Sequence, residues 1–176
     1  MHTVDTMKEI VNLRVHIAPV GFELDRIIIP AVKMKADKVW LVVHDNVTED
    51  KSNKYRQKIE KALEKKGIKT EIAHANRLRL FPIIKAVTGI IFKERKNDIY
   101  VNVATGSKIH AIGCMMACML FDDREKIHPF YAQAEKYPEY DGTLQQTYGV
   151  AEVYPLPTYR IGTPKPELIK AMSIIK

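Results

Sequence analysis

DIYVNVATGSKIHAIGCMMACMLF, residues 98–121, decides how the rest of the chain is read. Residues 98–104 are apolar and rich in β-branched side chains, which favours a strand. Thr105-Gly106-Ser107-Lys108 then makes a tight loop, and 109–121 is an apolar run long enough for a helix. Strand, glycine turn and helix in immediate succession form the building unit of a parallel sheet.

The same unit recurs upstream. Residues 68–75 alternate as a strand before an apolar helix over 80–94, where Pro82 is acceptable only near the first turn. Residues 48–66 form the clearest helix: Tyr55, Ile59, Ala62 and Leu63 share one side, and Gly67 stands at the end as a C-cap would. Before it, KVWLVVH at 38–44 is continuously apolar, as expected of a strand covered on both faces. LRVHIAPV at 13–20 reads as the first strand. It ends at Gly21, from which a turn leads into a helix by residue 35, with Leu24, Ile27, Ile28 and Val32 on one face. Pro30 should kink that helix or mark the end of a short first turn.

Four strand–helix repeats call for parallel strands joined by right-handed crossovers. After Asp122 the rhythm changes. Residues 126–132 and 148–154 look like two strands, either paired as a long hairpin or extending the sheet in a mixed sense. Residues 155–166 hold four prolines and one glycine, which is linker composition, and 167–175 can start a helix. The expected fold is α/β, a Rossmann-like three-layer arrangement with a mainly parallel sheet and a C-terminal strand pair. The expected division is 1–154 as one domain and 155–176 as linker and helix start.

Composition agrees with one globular domain. The chain has 176 residues, 46% hydrophobic and 28% charged. No apolar run approaches the roughly 20 residues that span a bilayer, and residues 1–9 are not a secretory signal, so cytoplasm is the expected location. The net charge of +7 and pI of 9.3 favour anionic partners without choosing among nucleic acid, nucleotides and phosphorylated metabolites. Much of the excess lies in 51–66 and 93–96, which read as solvated helix faces.

Ligands of such sheets bind outside the carboxyl ends of the strands. Two loops there have unusual composition: Pro19-Val20-Gly21-Phe22-Glu23 followed by Asp25-Arg26, and Asn102-Val103-Ala104-Thr105-Gly106-Ser107-Lys108. In the second, Gly106 permits close backbone approach, and Thr105, Ser107 and the first amides of the next helix offer donors where the helix dipole favours an anion. Lys108 adds a charge, and Asn102 either orients the loop or reads a base edge. The pattern is a phosphate cradle or, on the plainer reading, an ordinary Gly-Ser turn. Walker, G-x-G-x-x-G and G-x-S-x-G frames are missing, which disfavours a dinucleotide enzyme or a hydrolase of that type. The six histidines are scattered without zinc spacing, and Cys114 and Cys118 read as core residues, so no metal and no cofactor are expected.

In this order the motifs resemble the archaeal CARF family, the CRISPR-associated Rossmann-fold sensors, in the branch where such a domain precedes a winged helix-turn-helix. HIAPVGFELDR at 16–26 is similar to the family's opening, VNVATGSK at 101–108 to its second ligand loop, and IHPFY at 127–131 with AEKY at 134–137 to a later stretch. The resemblance implies a homodimer whose ligand loops meet across a two-fold axis, and a cyclic oligoadenylate as ligand. By position, Gly21, Phe22, Asn102, Thr105, Gly106, Ser107 and Lys108 would line that ligand, with Asp25 and Arg26 at the first loop's edge. The implied function is a sensor controlling an attached or partner effector, in transcription. The alternative is a metal-independent ring nuclease in which Ser107 and Lys108 act on the phosphate and no histidine is obviously placed as base. The few residues after Tyr154 cannot build a winged domain, so DNA contact is expected only through a C-terminal domain absent from this chain.

Overall fold

A computed structural model describes residues 12–46, 48, 50–121, 125–139 and 145–159. The residue 1–9 segment and the helix expected over 167–175 lie outside the described residues. The strands are β1 (Arg14–Pro19), β2 (Lys38–His44), β3 (Lys69–Ala75), β4 (Asp98–Asn102), β5 (Ile127–Gln133) and β6 (Glu152–Pro155). The helices are α1 (Asp25–Lys33), α2 (Asn53–Glu64), α3 (Leu80–Lys93) and α4 (Lys108–Met119). All ten belong to one six-stranded α/β unit with sheet order β3-β2-β1-β4-β5-β6. Its first five strands are parallel, and β6 runs antiparallel to β5.

Alternation along the strands builds both cores. Val15, Ile17, Ile99 and Val101 face α3 and α4, where Ile83, Val87, Cys114 and Ala117 fill the layer. Ala18, Leu41 and Val43 face the other way, toward Ile27 and Ala31 of α1 and Ile59 and Leu63 of α2. β2 therefore needs apolar residues at both parities, which explains its unbroken hydrophobic run. Burial also pushes the Cys118 thiol up to about 12, consistent with cysteines that pack and do not react. No helix among the described residues is long and apolar enough to cross a membrane.

Two open points in the sequence resolve here. The two arrangements expected for the last strands occur together: β5 joins β4 in parallel, extending the sheet, and β6 pairs antiparallel with β5. β6 starts only at Glu152, because the preceding residues are drawn toward the β1–α1 loop, leaving a single bridge between Lys136 and Tyr148. Pro30 lies inside α1. It lacks the N–H that would bond the Arg26 carbonyl one turn back, and Asn102 Nδ2 from β4 donates to that carbonyl at 2.8 Å. The break in the helix ladder thus becomes a tie between the two central loops.

Candidate functional site

Strands β1 and β4 are neighbours, yet α1 and α4 leave them toward opposite faces. Their loops part at the carboxyl edge, which is where an open parallel sheet makes its crevice. The loops touch glycine to glycine: a Cβ on Gly21 would lie 3.0 Å from Gly106 Cα. Gly106 has φ +75°, and Thr105 Oγ1 donates to the Pro19 carbonyl at 2.8 Å. Asn102 Oδ1 accepts from the Ala104 amide at 2.9 Å, closing the turn from below.

The cleft beside this junction has a volume of about 770 Å³. Five sequence candidates line it: Gly21, Phe22, Gly106, Ser107 and Lys108. The other four stand behind it. Asn102 and Thr105 are buried and hold the loops together. Asp25 Oδ2 accepts from the Gly149 amide at 2.8 Å and from Gln145 Nε2 at 3.1 Å. Arg26 is buried, donating through Nε to the Ala132 carbonyl at 2.8 Å and pairing with Glu23 at 3.4 Å. Glu23 in turn accepts from Thr147 Oγ1 at 2.6 Å. These acidic groups strap 145–149 across the first loop, so that Gln146 reaches the cleft.

Three lining residues were not among the sequence candidates: Lys51, Arg77 and His110. Lys51 and Arg77 lie next to α2 and α3 and are brought in by the carboxyl ends of β2 and β3. With Lys108 they make three cations and no carboxylate among the described lining residues. Together with the first amides of α4, such a set creates positive potential in a low-dielectric recess. His110 is 3% exposed. Its pKa is lowered to about 4, first by burial and then by Arg77 and His44 nearby, so its ring is neutral at pH 7. Its Nδ1 stands 2.9 Å from Ser107 Oγ and accepts the Ser107 amide at 3.2 Å. The helical spacing of Ser107 and His110, three apart at a helix start, was the available clue to this pair. No cluster of metal-ligating side chains occurs among the described residues.

The chain is similar to known proteins in sequence and in fold. Uncharacterized protein MJ1513 of Methanocaldococcus jannaschii is 35% identical over 128 residues, which is 69% of this chain and 38% of that protein. The chain therefore spans less than half the length of this relative. Among solved structures, Can2 from Sulfobacillus thermosulfidooxidans, in complex with cyclic tetra-adenylate, aligns with a TM-score of 0.56 at 17% identity, over 70% of this chain and 33% of that one. Enterococcus italicus Csm6, bound to cyclic hexa-2′-fluoro-hexa-dAMP, aligns at 0.57 and 11% identity, over 74% and 36%. These likenesses are of fold, and they match the Rossmann-like α/β architecture expected from the sequence. The family described as "HFX_2341_N:-like, N-terminal" matches residues 14–137, more than half of the sequence, and the chain belongs to it.

Proposed function

We propose that the chain is a sensor that binds a cyclic oligoadenylate across a homodimer and passes the binding event to an effector. The observation that carries this reading is the cleft itself: three cations, a helix N-terminus and two touching glycines, with no carboxylate on the described lining. Its volume lies within the roughly 300–1,000 Å³ range of small-molecule sites, and a ring of phosphates supplies repeated anions for repeated loops. Can2 and Csm6, which share the fold, are described with cyclic oligonucleotides bound.

The dimer has its own support in α4. This helix is apolar on nearly every side, which normally means burial all round, yet Ile112 is 53% exposed and Leu120 49%. Ile112 and Leu120 lie on one side of the helix with Met116 between them, and Ile109, about one turn earlier, lines the cleft. A second copy on that side would bring two clefts together. In this reading residues 1–154 sense the ligand in the cytoplasm, and 155–176 link to a further part of a longer protein, transcriptional in the branch the resemblance names. Any DNA contact belongs to that further part.

Calorimetry with cyclic tetra-adenylate tests the site. Lys108→Ala and Arg77→Ala should each weaken binding by roughly ten- to a hundredfold, the usual cost of a charged contact; unchanged affinity in both sinks the reading. A second reading, metal-independent opening of the ring, is favoured by His110, a neutral proton acceptor beside Ser107. Labelled ring incubated with the protein and a chelator separates the two: linear product supports cleavage, and an intact ring supports sensing alone.

A further inference from the structure

We infer that Ser107 recognises a ribose 2′-hydroxyl of the bound ring, with His110 as the positioning residue that turns the serine for this task; the inference rests on the cyclic-oligoadenylate reading above. The starting point is one backbone amide. The Ser107 N–H points at His110 Nδ1 at 3.2 Å, and a backbone N–H only donates, so Nδ1 carries no proton. With the ring neutral, its single proton sits on Nε2. Ser107 Oγ lies 2.9 Å from the same Nδ1. Its hydroxyl proton is therefore given to the imidazole; one oxygen lone pair caps the His110 backbone N–H, and the other is left as an acceptor.

This polarity restricts the ligand. Phosphate oxygens only accept, so Ser107 Oγ has nothing to offer them; it needs a donor. The other end of the histidine is complementary. His110 is almost wholly buried and lines the cleft, and on its neutral ring the Nε2–H is a donor. A phosphate oxygen, which only accepts, is a suitable partner for such a donor. Acceptor and donor thus stand together at the start of α4, beside the amides and Lys108 that suit a phosphate. In a ribonucleotide the 2′-hydroxyl is on the carbon next to the one bearing the 3′-phosphate. A phosphate held at this helix start brings such a donor to Ser107, whereas the adenine amino group lies many bonds further away. The 2′-hydroxyl is also the group that separates RNA from DNA, so the pair selects ribose rings.

The experiment is calorimetry with two probes, cyclic tetra-adenylate and its all-2′-deoxy counterpart. Wild-type protein should bind the ribose ring about tenfold more tightly. Ser107→Ala should lose most of that preference by weakening the ribose ring alone, and Ser107→Thr, which keeps a hydroxyl at the helix cap, should retain it. Ser107 is exposed, so these variants leave the core untouched, and circular dichroism verifies their fold. Equal binding of both rings by wild type, or equal weakening of both by Ser107→Ala, overturns the inference and leaves the ligand class standing. Failure of wild type to bind either ring removes the ligand class, and the inference falls with it.

Discussion

At Gly106 the backbone sits at φ +75°, and the room for a side chain is already taken: a Cβ would meet Pro19 Cβ at 2.9 Å and His110 Cγ at 3.0 Å. Gly106→Ala should lower stability by about 2 kcal/mol or more, through strain in the left-handed region and displacement of Pro19. Denaturant unfolding measures it, and a loss within error of zero contradicts the packed junction. Asn102 makes a comparable case. Its amide satisfies the Arg26 carbonyl and its oxygen takes the Ala104 amide. Asn102→Ala should cost about 1–3 kcal/mol because two buried backbone groups lose their partners. The glycine was legible in the sequence, since a strand and a helix flank it directly. The use of Asn102 was not, because its partner is 76 residues away and is free only through Pro30.

Elements β1 and α4 each bury a histidine in its neutral form. His16 of β1 packs against Tyr100 at 5.2 Å and edge-on to Phe130 at 5.6 Å. Its Nε2 finds no partner among the described residues. Burial lowers the His16 pKa to about 4, and His110 falls to a similar value. Between their ordinary 6.5 and about 4, the unfolded chain binds protons that the native state refuses, so stability must fall as pH drops through that window. Urea midpoints measured from pH 7 to pH 4 should decline, and His16→Phe should flatten part of the slope. A pH-independent midpoint would contradict neutral burial. The strands themselves were readable from periodicity, and β2 matched its expected bounds; the length of β6 was not, since Glu23 and Asp25 hold 145–149 from outside that segment.

For the whole molecule, the outstanding feature is an apolar face that a lone protomer leaves wet. Leu78 is 72% exposed on the cleft lining, and Phe81, in the first turn of α3, is 78% exposed. A charge placed there is tolerated by a monomer but not by a packed interface. Ile112→Glu should convert the proposed dimer to monomers in sedimentation velocity at micromolar protein. It should also weaken ring binding, because each monomer keeps only one cleft. Monomeric wild-type protein under the same conditions would count against the paired arrangement.

The order of strands and helices, the parallel sheet and the two glycine loops follow from the sequence alone, because hydrophobic period and glycine placement act locally along the chain. The convergence of Lys51 and Arg77 on Gly106 and the retreat of Asp25 and Arg26 into a supporting role were decided only by tertiary structure. Those features depend on which strands become neighbours and on which buried group needs a partner, and neither is written in any single segment.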